Sequence, residues 1–186
     1  MSSKLTCFCG SKLAFDQCCQ PLIFRNVQAQ IPEQLMRSRF SAYAMGNGQY
    51  IYDTYAKSSQ ASQSVRDLND WSETCKWIAL QIHSINNNNL IENESAEQFV
   101  EFSAFYITDG VLCELRENSR FVLEVPLSES TLKNGKQDLE WRYIDGDILK
   151  HNELAKITRK ELCPCNNFPT TWVIKKGKKY KQCCGN

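Results

Sequence analysis

Eight of the ten cysteines in this 186-residue chain lie in two clusters at its opposite ends. Each cluster combines a Cys-x-Cys pair with an adjacent Cys-Cys pair: Cys7, Cys9, Cys18 and Cys19 in the first, and Cys163, Cys165, Cys183 and Cys184 in the second. Four thiolates form the ligand set that favours tetrahedral zinc in structural sites, where no coordination position is open to a substrate. The spacing therefore predicts one or two zinc ions that hold short segments in shape.

The sulfur chemistry leaves two alternatives to zinc open. In a reducing cytosol cysteines persist as thiols and more often bind metal, whereas in a secreted protein they would form disulfides. The vicinal pairs Cys18-Cys19 and Cys183-Cys184 would also suit a thiol redox or metal-buffer protein. Both members of a vicinal pair can reach one ion only if the chain there lies at the edge of a helix or turn. The remaining cysteines, Cys75 and Cys113, have no cysteine or histidine at ligand spacing and are predicted to be core residues.

Size and composition limit the elements that could position these clusters. With 42% hydrophobic residues the chain can bury one moderate core, which leaves room for small appendages at each end. The first twelve residues contain no apolar run, and no later stretch has the length needed to span a bilayer. We therefore expect a soluble, cytoplasmic protein with no membrane segment.

Charge is unevenly distributed along the chain. Residues 156–181 contain eight lysines or arginines against the single Glu161, although the net charge of the whole chain is only +1. This region also contains two aromatic side chains that could stack on bases, Trp172 and Tyr180. They lie close to five lysines that could bind phosphate: Lys175, Lys176, Lys178, Lys179 and Lys181. A solvated face is the simpler explanation of such a run. The functional alternative is a surface that binds an anionic partner.

The first half of the central region has helical patterns. Pro32 begins a helix that Gly46 ends, and its apolar residues recur on one face. A second helix over Gln49–Tyr55 is predicted to have Asn47 as its cap, and a third is predicted from Ser64 to about Glu73. Residues 58–64 are predicted to be a polar loop.

The second half has strand patterns. Alternating apolar residues from Lys76 onward predict a strand, and further strands are expected at residues 98–108, 112–125 and 139–144. Breaks are predicted at residues 86–89, Asp109-Gly110, Asn134-Gly135 and Asp145-Gly146. Helices followed by consecutive strands predict an α+β fold, with helices packed on one face of a curved antiparallel sheet.

Several other side chains could do chemistry, and each has a simpler structural explanation. His83 could act as a general base in a cavity, but a hydrogen-bonded, partly buried histidine is commoner; His151 is expected to be solvated. Asp145 and Asp147 could be paired catalytic carboxylates, although a turn explains them better. Four arginines could bind an anion but are expected to form salt bridges with Glu101, Glu114 or Glu117: Arg37, Arg39, Arg116 and Arg120.

Aromatic residues could line a ligand cavity under the helices. Trp71, Trp77, Trp141 and Tyr43 are expected to converge where the helices cover the sheet, and an aromatic-lined hollow is a common type of small-molecule site. Core packing accounts for the same residues without a ligand.

Both ends of the chain resemble the SEC-C zinc motif, named for the C-terminal tail of the secretion motor SecA. The segment at residues 177–185 matches the second half of that motif, and the segment at residues 7–11 matches the first half. The C-terminal copy departs from the N-terminal spacing by an insertion of about nine residues, which costs little loop-closure entropy. Because the SecA tail engages a protein chaperone and the ribosome, the resemblance implies an acidic protein surface or ribosomal RNA as partner.

The central region resembles the bacterial YchJ-like family. The resemblance rests on four segments: residues 32–43, 100–102, 117–121 and 141–146. It implies a cone-shaped domain similar to nuclear transport factor two over residues 26–155, with SEC-C-like motifs at 1–25 and 156–186. It implies no particular enzymatic activity.

These observations predict a non-enzymatic, adaptor-like zinc protein whose metal-stapled ends contact a protein or the ribosome. An enzyme or small-ligand receptor is the weaker alternative, because residues 76–147 contain no nucleophile, base and orienting group in recognisable spacing. The thiol redox or metal-buffer protein is the third.

Overall fold

The structure is a computed structural model that describes residues 5–87, 97–126, 139–168 and 177–186. Helices come first in the chain and strands second, as the α+β prediction requires. The five α-helices of the described residues are α1 (Gln20–Ile23), α2 (Pro32–Met45), α3 (Gly48–Asp53), α4 (Lys57–Gln60) and α5 (Val65–Thr74). No helix among the described residues combines the length and the apolar composition needed to cross a bilayer.

Caps confirm the starts of the predicted helices and the end of α2, whereas α3 ends at Asp53, two residues before the predicted Tyr55. Gly46 follows α2 in the left-handed conformation with φ of 72°, which a residue without Cβ adopts at little cost. The side chains of Asn47 and Ser64 accept hydrogen bonds from the backbone amides of Tyr50 in α3 and Asp67 in α5, the third residue of each helix. The loop predicted at residues 58–64 is partly wrong, because Lys57–Gln60 forms the short helix α4.

The four strands form one antiparallel sheet in sequence order: β1 (Lys76–Asn87), β2 (Gln98–Thr108), β3 (Val111–Glu124) and β4 (Glu140–Lys156). Register shifts interrupt the β1–β2 and β3–β4 pairings, and such bulges bend and twist a sheet. Asp109 and Gly110 join β2 to β3 with φ of 48° and 73°, so the predicted tight turn is confirmed.

The turn predicted at Asp145-Gly146 is wrong, because β4 continues through it to Lys156. Asp145 lies opposite Arg120 on β3, and two hydrogen bonds of 2.9 and 2.6 Å join their side chains. A Cβ at Gly146 would come within 2.2 Å of the Glu117 carboxylate, so the Glu117 side chain occupies the space beside this glycine. Asn86 and Asn87 also belong to β1, whereas residues 88–89 and Asn134-Gly135 lie outside the described residues.

The main core lies between the helices and one face of the sheet. Tyr43 of α2, Trp71 of α5 and Trp77 of β1 converge as predicted, with ring centroids 5.0–5.1 Å apart. Trp141 belongs to the same core, and its indole nitrogen donates a hydrogen bond to the Gln30 carbonyl. Cys75 and Cys113 are each 6% exposed within this core, which confirms their structural assignment.

Candidate metal centres

The N-terminal cysteines meet in a single cluster although they come from two separate turns. The sulfur atoms of Cys7, Cys9, Cys18 and Cys19 all lie within 4.8 Å of one another. The Cys9 and Cys18 sulfurs are 3.6 Å apart, and the Cys18 and Cys19 sulfurs are 3.8 Å apart. The vicinal pair can share one centre because Cys18 directly follows a short 3-10 turn, Phe15–Gln17, and Cys19 is the N-cap residue of α1.

A short backbone ladder brings the two cysteine pairs together. The Cys7 amide donates to the Leu13 carbonyl at 2.8 Å, and the Phe15 amide donates to the Leu5 carbonyl at 2.8 Å. Gly10 and Lys12 turn the chain between them with φ of 77° and 68°. These bonds form a small knuckle, residues 5–19, that holds both cysteine pairs on the same side.

The N-terminal knuckle shares a core with the central domain. Phe15 is 7% exposed and lies in one apolar cluster with Tyr50, Ile51 and Leu68 of the helical layer. The Arg37 guanidinium also donates to the Cys9 carbonyl at 3.2 Å. The central helices therefore fix the position of this knuckle.

The C-terminal cysteines form an equivalent cluster. The sulfur atoms of Cys163, Cys165, Cys183 and Cys184 lie within 4.8 Å of one another. The Cys165 and Cys183 sulfurs are 3.4 Å apart, and the Cys183 and Cys184 sulfurs are 3.9 Å apart. Cys183 directly follows a 3-10 turn, Tyr180–Gln182, just as Cys18 follows the N-terminal one.

The same backbone ladder closes the C-terminal knuckle, residues 161–168 and 177–185, despite the insertion. The Cys163 amide donates to the Lys178 carbonyl at 3.0 Å, and the Tyr180 amide donates to the Glu161 carbonyl at 2.9 Å. Gly177, with φ of 79°, takes the position of Lys12. Its amide donates to the Asn166 side chain at 2.9 Å, which joins the two ends of the inserted segment.

The C-terminal knuckle packs against the sheet. Cys163, Cys165 and Cys183 lie in one apolar cluster with residues of β1, β2 and β3: Ile78, Ala79, Phe105, Ile107 and Leu112. The Phe168 ring stacks on Phe105 with centroids 4.6 Å apart. Each knuckle therefore rests on a different part of the central domain.

No disulfide joins any of the ten cysteines, all of which are among the described residues. In the N-terminal cluster the pKa of Cys18 is lowered to about 7, chiefly by its hydrogen bond with the Cys19 thiol. The pKa of Cys9 is also lowered, by hydrogen bonds with Cys19 and Cys7. The pKa of Cys184 is raised to about 12, chiefly by burial. Because the sulfurs of each cluster hydrogen-bond to one another and are mostly buried, each cluster could hold a metal ion in place of the shared protons.

Sequence reasoning missed two residues that support these clusters. The Ser11 hydroxyl lies 3.2 Å from the Cys18 sulfur, and the Asn166 side chain donates to the Cys163 carbonyl at 2.7 Å. Ser11 lies within the segment that matches the SEC-C motif, and this position is the sequence signal that could have identified it. No local pattern marks the role of Asn166, which depends on a contact across the insertion.

His83 belongs to a hydrogen-bonded chain whose order differs from that of a catalytic triad. Its Nε2 atom lies 2.8 Å from the Ser103 hydroxyl, which in turn donates to the Glu114 carboxylate at 2.7 Å. His83 is exposed, whereas Ser103 is fully buried between the two partners. The expected hydrogen bond of His83 is confirmed, but its expected partial burial is wrong. His151 is exposed, as expected, and its Nε2 atom lies 2.6 Å from the Tyr106 hydroxyl.

The arginines form ion pairs, but mostly with other acids than predicted. Arg116 pairs with Glu101, as expected, at 2.5 Å. Arg37 pairs instead with Glu33, four residues earlier on α2, and Arg120 pairs with Glu97 and Asp145. Glu114 and Glu117 instead accept hydrogen bonds from hydroxyl groups. Arg39 has no carboxylate partner among the described residues.

Comparison with solved structures supports the fold seen here. The crystal structure of a SEC-C motif containing protein from Psychrobacter arcticus has a TM-score of 0.63 and 24% identity, and it covers 97% of this chain and 95% of that one. The solution structure of a SEC-C motif containing protein from Rhodopseudomonas palustris has a TM-score of 0.61 and 27% identity, with 78% and 100% coverage.

Sequence comparison identifies the family. The YchJ middle NTF2-like domain matches residues 31–146. A UPF0225 protein from Vibrio cholerae is 35% identical over 181 residues, which cover 97% of this chain and all of that protein. A UPF0225 protein from Photorhabdus laumondii is 32% identical over 181 residues, with 96% and 98% coverage. This chain therefore belongs to the UPF0225 family, and its residues 31–146 belong to the family of YchJ middle NTF2-like domains.

Proposed function

We propose that each cysteine cluster binds one structural zinc ion and that the protein is a non-enzymatic, cytoplasmic adaptor. In this proposal the ligands are the eight terminal cysteines: Cys7, Cys9, Cys18 and Cys19 for one ion, and Cys163, Cys165, Cys183 and Cys184 for the other. The basic C-terminal knuckle presents its lysines to an acidic protein or to ribosomal RNA.

The sulfur geometry carries the zinc assignment. A zinc–sulfur bond of about 2.3 Å places the sulfurs of a tetrahedral site about 3.8 Å apart. Sulfur separations of 3.6 and 3.8 Å occur in the N-terminal cluster and of 3.4 and 3.9 Å in the C-terminal one, and all sulfurs of a cluster lie within 4.8 Å of one another. A disulfide would require about 2.0 Å. Each cluster thus has nearly the dimensions of a tetrahedral site with four cysteine ligands.

Two features favour an adaptor over an enzyme. An ion held by four cysteine sulfurs has no open position for a substrate. Ser103, the hydroxyl group that lies beside His83, is fully buried and donates to Glu114, so it is poorly placed to attack a substrate.

The C-terminal knuckle has an exposed cationic face. Lys178, Lys179, Lys181, Arg159 and Lys160 are all exposed, and none forms an ion pair with another described residue. Long-range attraction between such a face and an anionic surface accelerates association and is screened by salt. Trp172, Lys175 and Lys176, which the sequence also placed in this surface, lie outside the described residues.

The experiment is a pull-down from bacterial lysate with the whole chain and a triple charge reversal, Lys178→Glu, Lys179→Glu and Lys181→Glu. The matched control reverses three exposed lysines of the central domain: Lys57, Lys76 and Lys150. We expect the knuckle variant alone to lose the partner, and we expect wild-type binding to weaken as ionic strength rises. Salt-independent binding, or equal loss in both variants, would reject the electrostatic surface. Nuclease treatment of the lysate distinguishes an RNA partner from a protein.

The thiol redox alternative is tested on the same preparation. Zinc-bound thiolates react slowly with alkylating reagents, whereas redox thiols react readily when exposed. Rapid alkylation of Cys18 and Cys184, the two half-exposed cysteines, in the metal-loaded protein would favour redox chemistry over structural zinc.

A further inference from the structure

A cavity of about 120 Å³ lies between the helical layer and the sheet, and none of the residues that line it belongs to either knuckle. Its lining is largely aromatic and includes Tyr43, Tyr55, Trp71, Trp77 and Tyr143. An apolar cavity of about 150 Å³ can hold a benzene molecule. This hollow therefore has room for a ligand slightly smaller than that, or for water.

Trp77 supplies a hydrogen-bond donor with no acceptor. Its side chain lines the cavity and is 3% exposed, yet its indole Nε1 atom has no hydrogen-bond partner among the described residues. Buried donors in proteins are nearly always paired, because an unpaired one loses its bond to water and gains nothing in return. Trp141 shows the usual arrangement, since its Nε1 atom donates to the Gln30 carbonyl at 3.1 Å.

Arg39 brings a buried positive charge to the same cavity. It is 4% exposed, and its Nη1 atom donates to the Ile51 carbonyl at 2.8 Å and to the Thr54 hydroxyl at 2.7 Å. The guanidinium also lies over the rings of Tyr55 and Tyr143, at 4.5 and 4.6 Å from their centroids. Its Nε and Nη2 atoms have no hydrogen bond to a described residue. Buried guanidinium groups are usually paired with a carboxylate or phosphate.

The acid in the cavity wall does not supply the missing acceptor. The Oε1 atom of Glu117 already accepts hydrogen bonds from the Ser119 hydroxyl at 2.5 Å and from the Tyr143 hydroxyl at 2.9 Å. No ion pair joins Glu117 to Arg39. Burial raises the pKa of Tyr43, so this phenol stays neutral and adds no negative charge. The cavity wall therefore holds one buried cation, Arg39, whose hydrogen-bond partners in the protein are all neutral.

We propose that this cavity binds a small, planar organic carboxylate of about five or six heavy atoms. The carboxylate accepts hydrogen bonds from the buried donors of Arg39 and Trp77, and its flat hydrocarbon part packs against the aromatic walls. The proposal does not depend on zinc in either knuckle.

The test is a titration of the full-length, isotopically labelled protein with sodium crotonate, a planar acid of six heavy atoms, followed by the indole N–H resonances. The Trp77 resonance is expected to shift saturably, and the Trp141 resonance is expected to stay in place because its donor is already bonded. Trp77→Phe and Trp141→Phe assign the two signals. Sodium chloride at equal ionic strength controls for salt, and crotonamide, the uncharged counterpart, tests the need for charge.

We expect Trp77→Phe to weaken crotonate binding about tenfold or more, because a hydrogen bond to a charged group is lost, while Trp141→Phe leaves binding unchanged. Crotonamide should bind more weakly than crotonate. A Trp77 resonance that responds to crotonate no more than to chloride would overturn the site, and equal binding of crotonamide would overturn the role of Arg39. The wild-type titration gives this answer even if the Trp77 variant does not fold.

Discussion

Phe15 provides a quantitative test of how the N-terminal knuckle is anchored. Its side chain is 7% exposed, lies between the two cysteine pairs in sequence, and makes an edge-to-face contact with Phe8 at 5.3 Å. It packs in the cluster that contains Ile51 and Leu68. Truncating a buried phenylalanine to alanine typically costs about 3–5 kcal/mol, because apolar burial is lost and a cavity remains. For a chain of this size that loss lowers Tm by about 6–20 °C.

Tyr180→Ala is the matched control, because Tyr180 begins the corresponding 3-10 turn of the C-terminal knuckle but is only half-buried. We expect Tyr180→Ala to cost less than about 2 kcal/mol, since less apolar surface is buried. Urea unfolding monitored by tryptophan fluorescence measures both variants, and metal content checks that each retains its ligands. A loss below about 1 kcal/mol for Phe15→Ala, or equal losses in the two variants, would refute the idea that the N-terminal knuckle is part of the core.

Three further predictions concern the ion pair of Asp145, the end of α2 and the sulfur ligands. Arg120 lowers the pKa of Asp145, so this ion pair stabilises the fold at pH values above the ordinary carboxyl pKa. Asp145→Asn should therefore lower the free energy of unfolding by less than about 1 kcal/mol at pH 7, and its difference from wild type should vanish in acid. Urea unfolding at pH 7 and pH 3 measures this, and a difference that grows in acid would contradict it. Gly46→Ala should lower stability by about 1 kcal/mol through backbone strain alone, since nothing lies within 4 Å of the added Cβ. Gly46→Asn should cost less, because asparagine tolerates the left-handed conformation better. Equal losses of the two variants in thermal unfolding would contradict this role of backbone strain. Zinc release, followed with a colorimetric chelator, should increase as pH falls because protons compete for thiolates, and release that increases with pH would exclude thiolate ligation.

The sequence predicted most of the secondary structure because the relevant signals are local. The cap at Asn47, the stop at Gly46 and the turn at Asp109-Gly110 each depend on the conformational preference of one or two residues. The course of β4 could not be predicted in this way. Asp145-Gly146 has the composition of a turn, yet pairing with β3 and contacts with Arg120 and Glu117 hold it in a strand.

The cysteines of each candidate metal centre could be predicted from the sequence, but the way each knuckle packs on the central domain could not. Duplication of the cysteine pattern identified the residues of each cluster, and the ladder from Cys163 to Lys178 shows how the inserted copy closes in the same way. The packing of one knuckle beside Ile51 and of the other beside Phe105 depends on tertiary contacts that no local pattern encodes. The unpaired donor of Trp77 likewise becomes visible only once its surroundings are known.

Metal analysis of protein purified without chelators, combined with thiol counting, tests the central claim most directly. We expect about two zinc ions per chain, with the eight terminal cysteines protected from alkylation until the metal is removed and with zinc–sulfur distances near 2.3 Å by X-ray absorption. Substoichiometric metal together with oxidised or freely reactive sulfurs in these clusters would contradict it.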